Sequence, residues 1–145
     1  MKKIFTKICI ASDHAGYDLK EKIKDYLTNK SFSVIDLGPY SPASVDYPDY
    51  AKKVAKRLFL KKSDAGILIC GSGTGMAITA NKFKGIRAAQ CYNKSSTTLS
   101  RQHNNSNIIC LGSRMIKYKD ALKYVTYFLN TKFEGGRHQK RIKKI

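Results

Sequence analysis

The chain has 145 residues, of which 42% are hydrophobic and 10% aromatic, enough apolar side chain for a packed core and too much for a disordered polymer. Twenty-eight Lys and Arg against ten Asp and Glu leave a formal charge of +18, which attracts polyanions. Apolar runs are only a few residues long, far below the roughly 20 needed to cross a membrane, and the start Met1-Lys2-Lys3 leads into no stretch of signal-peptide length, so one cytosolic domain over residues 1–145 is expected.

Ile8-Cys9-Ile10-Ala11 reads as a buried strand, and Leu19, Ile23, Tyr26 and Leu27 then fall at helical spacing. Phe32 to Leu37 predicts a second strand, closed by Gly38-Pro39. Residues 40–47 read as a loop, broken at Pro42 and Pro48. Ala51, Val54, Ala55, Leu58 and Phe59 carry the next helical stripe. Ile67 to Cys70 is a third strand, followed by Gly71-Ser72-Gly73-Thr74-Gly75 and a helical segment from Met76 to Lys82. Ile86 to Cys91 and Asn107 to Leu111 are the fourth and fifth strands, and the polar segment between them holds a helix. Leu122, Val125 and Leu129 mark a last long helix, and Gly135-Gly136 sets off a basic tail. Short apolar strands alternating with helices predict a Rossmann-like α/β/α sandwich in three layers around a five-stranded parallel sheet. Ligands of such sheets bind beyond the carboxyl ends of the strands, where strand order reverses.

Chemistry-bearing residues cluster after those strands. Ser12-Asp13-His14-Ala15-Gly16 sets a carboxylate and an imidazole beside a helix start. Read alone, the segment fits helix capping by Ser12 or Asp13, with His14 exposed. The three alternate glycines after Cys70 let backbone N–H groups approach an anion closely. Their spacing matches neither a dinucleotide fingerprint nor a P-loop, so a small anion, or charge that develops during reaction, fits better. Cys70 abuts this cradle and reads equally as a reactive thiol or as the last buried residue of its strand. His103, within Ser100-Arg101-Gln102-His103-Asn104-Asn105, can shuttle protons or simply end a helix. Gly112-Ser113-Arg114 follows the fifth strand. Arg137 and Arg141 stand four apart on one face of a basic tail helix, an arrangement that suits a phosphate; the alternative is a solubilising tail. Cys9, Cys70, Cys91 and Cys110 form no C-x-x-C pair, no metal-ligand spacing appears, and reduced, mostly buried thiols are expected.

Ser12 to Gly16, Asp46-Tyr47-Pro48, Cys70 to Gly75, Ala80-Asn81-Lys82, Gly85-Ile86-Arg87-Ala88, Ser100 to Asn104, Gly112-Ser113-Arg114 and Phe133 to His138 together resemble the ribose/galactose isomerase family, which includes ribose-5-phosphate isomerase B. The resemblance runs in order along nearly the whole chain. It implies interconversion of ribose 5-phosphate and ribulose 5-phosphate, a pentose phosphate pathway step, without metal or cofactor. It also implies a homodimer or dimer of dimers with shared active sites. By position it makes Cys70 the base moving a proton between C2 and C1, and His103 the residue that opens the furanose ring. A branch of the family uses a glutamate in the glycine loop; here Met76 follows Gly75 and the loop has no carboxylate. Asp13, His14 and Asn104 match substrate contacts, Tyr47 an aromatic residue near the catalytic histidine, and Arg114, Arg137 and Arg141 the phosphate ligands. The N–H groups of Gly71, Ser72, Gly73, Thr74 and Gly75 are placed to stabilise an enediolate.

Two other functions compete. A sibling isomerase would take galactose or allose 6-phosphate. A nucleic-acid-binding protein would explain the charge, but no nucleic-acid motif accompanies it, and lysine on helix surfaces accounts for most of it. Connectivity adds one expectation. Cys70 ends a strand whereas His103 precedes one, and a five-residue strand spans about 17 Å. A working pocket should therefore join Cys70 of one subunit to His103 of another.

Overall fold

The computed structural model describes residues 2–145. Its elements run β1 (Lys7–Ser12), α1 (Tyr17–Asn29), β2 (Ser33–Asp36), α2 (Tyr47–Phe59), β3 (Ala65–Cys70), α3 (Thr74–Ala80), β4 (Ala88–Gln90), α4 (Lys94–Gln102), β5 (Ile108–Gly112), α5 (Tyr118–Asn130) and α6 (Arg137–Ile142). Period-two alternation in the strands sets the layers. Ile8 and Ile10 of β1, Ile67 and Ile69 of β3, and Ile109 and Leu111 of β5 pack on one face with α1 and α5. Cys9 and Ala11, Leu68 and Cys70, and Ile108 and Cys110 face the other way, against α2 and α3. Burying one Ile, Leu or Phe contributes roughly 1.5–3 kcal/mol, so two apolar faces covered by two helix layers are the stable solution.

All neighbours in the sheet are parallel, in the order β2-β1-β3-β5-β4. The chain lays β2 on one side of β1 and β3 on the other, so strand order reverses at the β1/β3 crevice. β1, β3 and β5 are adjacent, which brings the three loops leaving their carboxyl ends together. Backbone bonds fasten them: the Asp13 amide donates to the Ile69 carbonyl at 3.1 Å and the Ser113 amide to the Cys70 carbonyl at 2.9 Å. The Ser113 hydroxyl donates to the Ala15 carbonyl at 2.8 Å.

Three expectations change. Pro48 does not break the chain: it lies in the first turn of α2, where a missing N–H costs nothing. The fourth strand shortens to Ala88–Gln90 because the Arg87 amide is taken by the Asn107 side chain at 2.9 Å. Lys20 is not on a solvated face. It is fully buried, donating to Asp36 at 2.7 Å and to Glu21 at 2.8 Å, while Lys24 reaches the same Asp36 oxygen at 3.0 Å. The network ties α1 to the end of β2.

Candidate active site

A cleft of about 390 Å³ opens where the three loops meet, lined by Asp13, Tyr47, Cys70, Gly71, Ser72, Gly75, Arg114 and Met115. Cys70 is the last residue of β3, 5% exposed, and lines the cleft. Gly73 has a left-handed backbone (φ 83°) that L side chains rarely adopt. In that conformation its amide donates to the Cys70 sulfur at 3.1 Å. The other thiols are sealed in the core. Burial pushes Cys9 up to about 11 and raises Cys91 and Cys110 as well, so all three remain neutral thiols.

The rest of the glycine loop divides into lining and support. Gly71, Ser72 and Gly75 line the cleft. A β-carbon on Gly75 would lie 2.4 Å from the Tyr47 ring, and one on Gly71 would lie 3.0 Å from the Arg114 guanidinium. Both residues must therefore stay bare for Tyr47 and Arg114 to stand where they do. Gly73 and Thr74 do not line the cleft. The Gly73 amide serves the sulfur, and the Thr74 amide donates to the Ser72 hydroxyl at 3.2 Å. The expected cradle of five amides thus narrows to the three lining residues. Gln90 holds the loop from the side, its Nε2 donating to the Ser72 carbonyl and the Thr74 hydroxyl, both at 2.9 Å. Sequence reading missed Gln90; its one signal is a polar residue closing an apolar strand.

Neither Ser12 nor Asp13 caps α1, whose N-cap is Gly16 without a side-chain bond. Asp13 instead accepts the Gly16 amide at 3.0 Å, which turns its carboxylate toward the cleft while keeping it buried. His14 is exposed outside the lining, its Nδ1 accepting from the Val45 amide at 3.2 Å.

A second group of predicted residues assembles elsewhere. α4 leads back to the amino edge of the sheet and ends in His103. The loop after it is held by Arg101, buried to 2% exposure and set over the Phe5 and Phe128 rings. Arg101 donates to the Ser106 carbonyl at 2.6 Å and to the Thr131 carbonyl at 3.0 Å. Burial, then the charge of Arg87, lowers its guanidinium to about 10. His103 stacks on His138 with ring centroids 4.1 Å apart and planes 13° apart. Burial, then the charges of His103 and Arg137, pull His138 below the usual imidazole range. Arg137 and Arg141 rise from α6 beside it. Asn104 lines a separate cleft of about 320 Å³ with Arg87, Ser106 and Ile145. His103, Asn104, Arg137 and Arg141 are all absent from the lining of the Cys70 cleft, and Tyr47 stands on the Cys70 side.

Sequence spacing offers no metal-ligand set, but the fold brings together side chains from distant segments. The fold gathers His103, Glu134 and His138, with ligand atoms all within 4.8 Å of one another. Glu134 and His138 are four residues apart, but His103 joins them only through the packing of α4 against the tail.

A family model for Ribose/Galactose Isomerase matches residues 8–145. The chain belongs to the ribose/galactose isomerase family. It is 45% identical over 139 residues to ribose-5-phosphate isomerase B of Escherichia coli, covering 96% of this chain and 93% of that protein. A ribose 5-phosphate isomerase of Thermotoga maritima superposes with a TM-score of 0.94 at 52% identity, covering 96% of each chain. A ribose-5-phosphate isomerase B of Mycoplasma genitalium, solved with bound ribulose-5-phosphate, gives 0.90 at 48% identity over 94% of this chain and 91% of that one. No described helix is long and apolar enough to cross a membrane.

Proposed function

We propose that residues 1–145 form a single cytoplasmic enzyme domain that interconverts D-ribose 5-phosphate and D-ribulose 5-phosphate, an aldose–ketose step of pentose phosphate metabolism. The observation that carries this reading is Cys70: a cleft-facing thiol, met by the Gly73 amide at 3.1 Å, with Asp13, Tyr47 and Arg114 around the same cleft. His103 protonates the furanose oxygen as the C1–O4 bond breaks, and the O1 hydroxyl releases its proton to solvent, which leaves the open-chain aldehyde. Cys70, as thiolate, takes the proton from C2 of the open aldose, and the electron pair passes through C1 onto O1. The resulting enediolate is stabilised by backbone N–H groups of Gly71, Ser72 and Gly75 and by the Ser72 hydroxyl. The thiol returns the proton to C1 while the O2 proton moves to O1, which leaves the ketose carbonyl at C2. Asp13, His14, Tyr47 and Asn104 contact the sugar. Arg114, Arg137 and Arg141 hold the phosphate, so binding energy remote from C1 and C2 orients the reacting carbons.

The residues of this scheme occupy two separate regions of one chain, and this supports a homodimer or dimer of dimers in which Cys70 of one subunit works with His103, Arg137 and Arg141 of another. The test measures turnover of ribose 5-phosphate beside galactose 6-phosphate and allose 6-phosphate, with Cys70→Ala in parallel. Turnover of the pentose that Cys70→Ala abolishes supports the reading. Preference for either hexose phosphate, or full activity in Cys70→Ala, overturns it. Mixing Cys70→Ala with His103→Ala chains tests the sharing: hybrid dimers that regain activity carry one intact composite site.

A further inference from the structure

The geometry points to a binding site for one transition-metal ion of the zinc class at His103, Glu134 and His138, and we infer that the ion inhibits the enzyme by occupying the histidine that opens the sugar ring. The binding stands on these residues alone; the inhibition rests on the role proposed above for His103.

Spacing is the first argument. Ligand atoms about 2.0–2.1 Å from a tetrahedral ion stand roughly 3.4 Å from one another. His103 Nε2 lies 3.4 Å from Glu134 Oε1, and His138 Nε2 lies 4.0 Å from the same oxygen. The second distance exceeds hydrogen-bond reach, although the His138 side chain is nine-tenths buried. The three ligand atoms all lie within 4.8 Å of one another, and turning one imidazole out of the His103–His138 stack lets both ring nitrogens address one ion beside Glu134.

Rigidity is the second. Each ligand sits on a fastened backbone. His103 ends α4, its amide donating to the Leu99 carbonyl at 2.9 Å. The Glu134 amide donates to the Gln102 carbonyl at 3.0 Å, which ties the tail directly to the histidine segment. His138 lies in α6, which fixes its backbone. The His103 and Glu134 side chains are 39% and 49% exposed on the single chain, so they face outward, and in a shared site they open onto the same pocket that admits the sugar.

Ligand chemistry then selects the ion. Two imidazoles and one carboxylate suit zinc, cobalt, nickel or copper, whereas magnesium and calcium require mostly oxygen. Arg137 and Arg141 on the same helix repel any cation held by charge alone, and coordinate bonds to nitrogen withstand that field better. The fourth position is left to water. A bound ion takes the Nε2 lone pair of His103, so that nitrogen cannot carry the proton that ring opening needs.

The experiment titrates Zn²⁺ into the untagged full chain by calorimetry and Co²⁺ by visible absorption, then repeats both with His138→Ala, Glu134→Gln and Cys70→Ser. One ion per chain is expected, with an affinity loss of about tenfold or more in His138→Ala and in Glu134→Gln, since even outer partners of metal ligands matter to that extent. Cys70→Ser should bind as the natural chain does. Ribose 5-phosphate turnover should fall in step with zinc occupancy and return with a chelator. His138→Ala, measured against its own metal-free rate, should resist zinc. No stoichiometric binding, binding unchanged in both ligand variants, or binding lost in Cys70→Ser overturns the site. Binding through these residues in a chain that turns over no ribose 5-phosphate supports the site and overturns the inhibitory role.

Discussion

The amide of Gly73 points at the sulfur of Cys70 across 3.1 Å, held there by a backbone conformation that a side chain at position 73 would strain. A β-carbon on Gly73 would also lie 3.0 Å from the Leu111 carbonyl carbon. The loop is therefore shaped around the thiol, and charge on sulfur during proton transfer is met by a fixed donor. Cys70→Ser keeps the size and the hydrogen bond and removes the acidity. Its kcat on ribose 5-phosphate should fall by about a hundredfold or more, the scale of general acid–base catalysis, with an unchanged melting temperature. Near-normal turnover in a folded variant would exclude Cys70 as the base.

His103→Ala should impair ring opening more than proton transfer. Ribose 5-phosphate lacking its 4-hydroxyl cannot close a furanose ring. The variant should lose far more activity on ribose 5-phosphate than on this open-chain analogue, each compared with the natural chain. Equal losses on both substrates would give His103 another role.

Arg137 and Arg141 lie on α6 with Lys140, and Lys143 and Lys144 follow it. A diffuse basic field would treat these residues as equivalent; a phosphate fork would not. Hydrogen bonds to charged groups contribute roughly 1.5–3 kcal/mol each, so Arg137→Ala or Arg141→Ala should lower kcat/KM by about ten- to a hundredfold. Neutralising Lys143 and Lys144 together should matter much less, because salt screens exposed charges. Equal losses in all three variants at fixed ionic strength would refute the fork.

Asp36 makes stability sensitive to acid. Burial alone would raise its carboxyl, but the Lys20 ammonium, the Gly38 amide and Lys24 outweigh that and hold it below the ordinary carboxylate value. A depressed folded-state value stabilises the fold above the unfolded value of about 3.9 and loses that contribution as pH falls through the folded value. The melting temperature should therefore drop below about pH 4. Asp36→Asn should flatten that drop and cost about 3 kcal/mol at neutral pH, because fully buried Lys20 loses its shorter ion pair. An acid profile as steep in Asp36→Asn as in the natural chain would place the sensitivity elsewhere.

The sequence by itself determined the layers and singled out the groups that could carry chemistry. Runs of apolar side chains are local, so Ile8 to Ala11, Ile67 to Cys70 and Asn107 to Leu111 announced buried strands, and Cys70, His103 and the tail arginines stood out as candidate groups. Local pattern has no access to strand order or to contacts between distant segments. Only the tertiary structure decided that β1, β3 and β5 stand side by side, which brings Asp13, Cys70 and Arg114 into one cleft. It alone bonded Gln90 to the glycine loop, buried Lys20 and Arg101 against the rule for charged residues, and joined His103 to Glu134 and His138. Each of these follows from side chains meeting across the sheet or between helices, where what counts is the partner that packing supplies and not the spacing along the chain.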